Sequence, residues 1–458
     1  MPHMTAFDDL TSLLGQRATR SKSELDQHGR SETHFPPMPP DAVVYPETTA
    51  EVSAILRICA AHGLPVVGYG AGTSLEGQAQ APQGGICVDF RLMNRVMQIN
   101  PEDMDVVVQP GITREALNAE LRATGLFFPV DPGANASIGG MASTRASGTT
   151  AVRYGTMRDN VLALEVVLAD GRIIRTGTRA RKTAAGYDLT SLFVGAAGTL
   201  GLITELTLRL QGQPEATAAA ICGFAEMTEA VAAVIDTIQM GLPMARIEFI
   251  DAASVAAVNA WSGTDIPLTP HLMVEFHGSD EGVREQAETF GAIVADHGGS
   301  GFDWATRPED RNALWAMRHN AYYAIKASRP GSVALVTDIC VPISRLAEAV
   351  TQTQADIAAS PIAGPILGHV GDGNFHAILL YDDQNPAEVA AAHDLSHRMV
   401  MRALALGGTA TGEHGVGLGK LDYMQAEHGP AWDVMQTVKM ALDPANIMNP
   451  GKLLRQGN

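Results

Sequence analysis

Three runs of very small residues constrain this chain more than any other feature. The first is Gly70-Ala71-Gly72-Thr73-Ser74-Leu75-Glu76-Gly77. The second spans Ser137-Ile138-Gly139-Gly140-Met141 and Ala146-Ser147-Gly148-Thr149, and the third is Gly195-Ala196-Ala197-Gly198-Thr199-Leu200-Gly201. Residues without bulk let backbone approach another group closely or adopt a positive φ. The first run follows an expected strand, Pro65 to Tyr69, where backbone N–H groups can face a phosphate. A plain tight turn explains that run about as well on its own. A Rossmann fingerprint is excluded, although Asp89 lies about twenty residues further on. Its third Gly is out of register from Gly68 or from Gly70, and Gly77 to Gly85, with Pro82 inside it, does not make the helix required. Three such runs in one α+β domain point to a long ligand lying across it, such as a dinucleotide.

A chain of 458 residues exceeds one hydrophobic core, so two or three domains are expected. Its formal charge of −18 opposes nucleic acid and anionic membrane surfaces. No apolar run reaches the length of a bilayer span. The N-terminal residues lack the basic start and apolar core of a secretory signal. Cys59, Cys87, Cys222 and Cys340 form no Cys-x-x-Cys pair, which reads as buried free thiols in a reducing compartment.

Taken in order, the chain alternates strands and helices. Phe35-Pro36-Pro37-Met38-Pro39-Pro40 is an extended strap. Val43 to Tyr45 predicts a strand, and Thr48-x-x-Glu51 a capping box opening a helix that ends at Gly63. Asp105 to Gln109 predicts a strand, and Thr113 caps a helix ended by Gly125. Asp170-Gly171 joins two strands in a hairpin, and the third small-residue run leads into a strand from Ile203 to Leu210. Gln211-Gly212-Gln213-Pro214 reads as a domain boundary. Beyond it, helices are expected over Glu226 to Met240, Gly282 to His297, Arg307 to Lys326, Ser344 to Ala359, Ala387 to Leu406 and about Asp433 to Leu442. Strands are expected over Ala245 to Ile250, Leu272 to His277 and Thr337 to Val341. One antiparallel sheet carrying these helices is the expected arrangement.

The chemistry concentrates in two stretches. Gly368-His369-Val370-Gly371-Asp372-Gly373-Asn374-Phe375-His376 reads as a hairpin turning over Gly371 to Asn374. That register pairs Val370 with Phe375 and His369 with His376, so two imidazoles share one face and one metal ion. Downstream, Thr411-Gly412-Glu413-His414-Gly415 offers a carboxylate and a third imidazole on a Gly-flexible loop. Two His and one Glu make an open metal site suited to zinc or manganese, and His414 remains for acid–base work. The alternative is two packed or solvated histidines at strand ends.

These residues together resemble a known family. Gly70 to Gly77, Val130-Asp131-Pro132-Gly133-Ala134, Ala151-Val152-Arg153-Tyr154-Gly155-Thr156-Met157-Arg158-Asp159-Asn160, Gly198 to Thr204, Gly368 to His376, Gly412 to Gly415 and Asn449-Pro450-Gly451-Lys452 occur in its order. The chain is similar to the FAD-dependent, cytochrome-type D-lactate dehydrogenases. These belong with glycolate oxidase and D-2-hydroxyglutarate dehydrogenase in the vanillyl-alcohol-oxidase flavoprotein superfamily. The likeness runs from about Pro40 to Leu453 and implies an α+β fold. A two-subdomain FAD-binding domain would cover 40–212 behind an N-terminal strap, 1–39. A cap domain with an antiparallel sheet would cover 213–405, and 406–458 would complete the active site.

The resemblance further implies FAD held by Gly70, Ala71, Gly72, Thr73, Ser74, Leu75, Pro132, Gly139, Gly140, Ser147, Gly148, Gly201, Ile203 and Asn449. By the same likeness the metal is held by His369, His376 and Glu413, with His414 as base. Arg318 would hold the substrate carboxylate, where sequence alone favours a helix-surface ion pair. Some relatives attach FAD through a His in the first loop. Residues 68–77 contain none, so noncovalent FAD is expected. Relatives acting on hydroxyglutarate bring a Lys to the stretch after the Arg helix. Pro330 to Val336 has no cation here, so D-lactate or another short or apolar D-2-hydroxy acid is expected, the alternative being a D-2-hydroxyglutarate dehydrogenase or a glycolate oxidase subunit. The electron acceptor would be cytochrome c, a quinone or an electron-transfer flavoprotein. A homodimer is the candidate assembly, and the expected location is cytoplasmic or peripheral to the inner membrane.

Overall fold

The structure, a computed structural model, describes residues 2–455. Contacts divide the chain into two compact units. The first comprises the chain up to Ser147, Gly155–Gln213 and the chain from Glu413 onward; the second comprises Gly148–Tyr154 and Pro214–Gly412.

The first unit contains two main sheets. Ala42–Val44, Ile86–Asp89 and Val66–Tyr69 lie parallel in that spatial order, with Ala18–Thr19 antiparallel at the edge. The helix Thr49–His62 makes the crossover that parallel neighbours need. Thr48 caps it through Glu51 N, and Gly63 ends it at φ 64°. Glu51 also turns its carboxylate to the Thr48 backbone N–H, the return bond of the expected capping box. Its carboxylate is taken by the Arg17 guanidinium and by the Glu47 N–H. The second sheet is antiparallel, in the order Val96–Asn100, Asp105–Val108, Leu202–Arg209, Val161–Val167 and Ile173–Arg175. Val106, Val108, Leu164, Val166, Leu206 and Leu208 turn into its core. Their alternation is the period-2 pattern of a strand, and on the opposite face Val167 and Leu202 pack into the core of the first sheet.

The second unit is built on an eight-stranded antiparallel sheet. Its order is Ser300–Ala305, Ala216–Gly223, His271–Gly278, Met244–Ile250, Ile366–His369, Asn374–Tyr381 and Val333–Val336, and Ile339–Cys340 also pairs with Asn374–Tyr381. Several elements differ from the sequence expectation, which did not include the strands Ala216–Gly223, Ser300–Ala305 and Val333–Val336. The strand expected over Thr337 to Val341 is shortened to Ile339–Cys340, because Thr337 and Asp338 turn their side chains into a buried polar cluster. A helix, Ala252–Ser262, was also absent from the sequence reading, although Asp251 caps it and Gly263 ends it in the left-handed region. That helix packs Val255 and Val258 with Leu314, Ala321 and Ile325 of the helix Pro308–Ala327. Among the described residues, no helix is long and apolar enough to cross a membrane.

Candidate active site

In the second unit, the hairpin at 366–381 forms with a register shifted by two residues from the expected one. Leu367 faces His376, Gly368 faces Phe375 and His369 faces Asn374. The turn is therefore Val370 to Gly373, not Gly371 to Asn374. Val370 is 1% exposed and is drawn into the turn. Gly373 takes the left-handed position at φ +78°, where a Cβ would lie 2.1 Å from Val341 O. His369 and His376 become diagonal rather than direct partners. Residues two apart share a strand face, so the rings still meet, with centroids 5.5 Å apart at 80°.

Both rings are oriented by their Nδ1 atoms. His369 Nδ1 donates to Glu248 Oε1 at 2.7 Å, since a carboxylate is acceptor only. His376 Nδ1 donates to the backbone oxygen of Thr337 at 2.9 Å. In each neutral ring the lone pair then sits on Nε2, the tautomer that a metal ligand requires. Ring nitrogens of the two residues come within 4.8 Å of one another. This donor set fits a divalent cation.

Glu248 and Asp338 are site residues that sequence reasoning missed. Glu248 lies mid-strand in Met244–Ile250 and is fully buried. Its other oxygen lies 2.6 Å from Arg318 Nη2. Arg318 is itself only 9% exposed, so it is no helix-surface residue, and its Nε is buried with no hydrogen-bond partner. Asp338 accepts from Asn374 Nδ2 at 2.8 Å and from Thr411 Oγ1 at 2.6 Å, and lies 3.7 Å from His376 Nδ1. It thereby fixes the strand end next to His376 and the segment Thr411–Gly412, where a Cβ on Gly412 would lie 2.3 Å from Asn374 Nδ2. The signal in sequence was faint: one acid inside Arg246-Ile247-Glu248-Phe249-Ile250, and one polar pair inside an apolar strand.

Glu413 and His414 follow directly and open the last segment of the first unit. There the segment is pinned to the first small-residue run. His414 O accepts from Gln78 Nε2 at 2.6 Å, Leu418 N donates to Glu76 O at 2.8 Å, and Lys420 Nζ lies 3.3 Å from Glu76.

The three small-residue runs converge within the first unit. A Cβ on Gly70 would lie 2.0 Å from Ser137 Oγ, so the first run passes against the second. Gly195 N donates to Ala142 O at 2.9 Å and Ala197 N to Ser143 O at 2.8 Å, which ties the third to the second. Asn449 closes the set by donating to Gln78 O at 3.1 Å and Ala197 O at 2.7 Å. Ser74 Oγ and Ser137 Oγ are buried with no hydrogen-bond partner. Ala71 is exposed, while Gly72, Thr73, Leu75, Pro132, Gly140 and Ser147 are half-buried. A seam of close-set backbone with unanswered hydroxyls fits a polar, extended ligand. Three of the expected residues serve packing. Gly139 lies against Pro110, Gly201 lies against Val166, and the Ile203 side chain is in the core. Gly148 belongs to the second unit.

Comparison with known proteins agrees with this architecture. Residues 40–177 match the FAD binding domain family, and residues 213–453 match the C-terminal domain of FAD linked oxidases. The chain belongs to the FAD-linked oxidase family and is an FAD-binding oxidoreductase. It is 52% identical to a probable mitochondrial D-lactate dehydrogenase of Danio rerio, over 94% of this chain and 87% of that one. It is 45% identical to a mitochondrial D-lactate dehydrogenase [cytochrome] of Arabidopsis thaliana, over 98% and 80%. Among solved structures, a p-cresol methylhydroxylase superposes with TM-score 0.79 at 18% identity, covering 98% and 96% of the two chains, a likeness of fold alone.

Proposed function

We propose that this protein oxidises D-lactate, and other short or apolar D-2-hydroxy acids, to the 2-oxo acid. FAD is held noncovalently by the converging small-residue runs, with Gly70 to Leu75, Ser137 to Gly140 and the Asn449 tie around it. A divalent ion, zinc or manganese, is held by His369, His376 and Glu413. The observation that carries the reading is the commitment of both Nδ1 atoms, to the Glu248 carboxylate and the Thr337 carbonyl, which leaves Nε2 of His369 and His376 as the ligating nitrogen. Chain continuity supports Glu413 as third ligand, because Gly412 is already packed on Asn374 beside these histidines.

Bound FAD supplies the hydride acceptor, and a divalent ion supplies Lewis acidity toward the substrate hydroxyl. The protein's own groups do the rest. Arg318 offers its Nε edge to the substrate carboxylate, and a two-point hold there fixes which Cα hydrogen is presented. His414 takes the hydroxyl proton. The Arabidopsis relative's name supports a cytochrome as the electron acceptor.

The test is anaerobic flavin bleaching on purified holoprotein of measured metal content. D-lactate should reduce the flavin faster than D-2-hydroxyglutarate at equal concentration, L-lactate should do little, and metal should be stoichiometric. A preference for the dicarboxylate, or full activity in metal-free protein, refutes the reading.

A further inference from the structure

We propose that Glu248 is a positioning residue that braces the metal-binding imidazole of His369 and the carboxylate-binding guanidinium of Arg318 with one carboxylate. The inference rests on the function proposed above and adds to it a coupling between metal and substrate binding.

The geometry is specific. Glu248 lies in the strand Met244–Ile250, whose Phe249 pairs with Gly368, so it stands beside the start of the histidine hairpin. One oxygen takes His369 Nδ1–H at 2.7 Å and the other lies 2.6 Å from Arg318 Nη2. Its side chain has no exposure at all. A buried carboxylate is unfavourable unless both oxygens are answered by charge or hydrogen bonds. A simple ion pair would need only Arg318. Here the same anion also fixes the His369 tautomer and raises the basicity of its Nε2, which strengthens a metal bond. It also pins the guanidinium of Arg318 at Nη2, while the buried Nε has no hydrogen-bond partner within the protein. The helix carrying Arg318 and the hairpin carrying His369 are thus set relative to each other by one side chain.

The experiment compares Glu248→Ala, Glu248→Asp and Glu248→Gln, each checked for FAD content and thermal unfolding. Metal affinity is measured by competition with a chelator, and kcat and KM are measured for D-lactate. Glu248→Ala should lose about 10–100-fold in metal affinity and raise KM for D-lactate by a similar factor. Glu248→Asp, which keeps the charge on a shorter arm, should recover part of both. If the Ala variant does not fold, Glu248→Gln carries the test. An amide has one acceptor oxygen and a donor nitrogen that cannot face a guanidinium, so at least one of the two quantities should worsen about tenfold. Wild-type metal affinity and KM in a folded Ala or Gln variant overturn the proposal, as does an Asp variant no better than Ala. Wild-type protein that binds no metal overturns instead the functional reading beneath it.

Discussion

Replacing Lys452 with Met probes the tie between the C-terminal segment and the first small-residue run. Lys452 is fully buried. Its Nζ donates to Gln78 O at 3.1 Å, to Gln80 O at 2.5 Å and to Asn449 Oδ1 at 3.0 Å. Burial pushes its amine down from 10.5 to about 7. Between those two values the unfolded chain holds a proton on this residue that the folded chain does not. The contribution of this residue to folded stability should therefore rise with pH above about 7, approaching about 1.4 kcal/mol per pH unit. The Met variant has nothing to titrate there. It also strands the Gln80 and Asn449 oxygens, at about 1–3 kcal/mol each, whereas Gln78 O keeps its bond from Asn449 Nδ2. The difference between wild type and Lys452→Met should thus widen in the wild type's favour by about 2 kcal/mol from pH 7 to pH 9. Urea unfolding followed through the fluorescence of released flavin measures it. A difference that stays flat across that range means Lys452 keeps its charge throughout, stabilised by its three oxygen acceptors, and refutes the reasoning.

Gly70→Ala places a Cβ 2.0 Å from Ser137 Oγ and 3.3 Å from Ser137 Cβ, so the Ser137 hydroxyl must swing away and the new methyl crowds the seam. Purified protein should carry clearly less flavin by absorbance while its secondary structure by circular dichroism stays near wild type. Glu413→Ala should lose its metal and, with it, activity, by mass spectrometry and stopped-flow flavin reduction. His414→Ala should keep metal and FAD but reduce its flavin about 10²–10⁴-fold more slowly. A metal-free His414→Ala protein would make His414 a ligand rather than the base.

Local sequence carries most of the elements and the places where chemistry sits. The Thr48 cap, the Gly63 stop, the Asp170-Gly171 turn and the apolar run of Val161–Val167 depend on residues within a few positions, so they are legible in order along the chain. The three small-residue runs and the His, Glu and Arg candidates are legible for the same reason. Tertiary structure decided the rest. The hairpin register moved by two because Val370 found a core to enter and Gly373 met the Val341 carbonyl from another segment. Glu248 meets His369 across 121 positions, a pairing set by the order of strands in the sheet and not by any propensity near either residue. Lys452 reaches the first loop 374 residues before it. Propensity and turn chemistry act over neighbours, whereas strand order and buried polar pairing are settled only when distant segments share a core, and that is why the supporting acids and the register were not readable from the sequence.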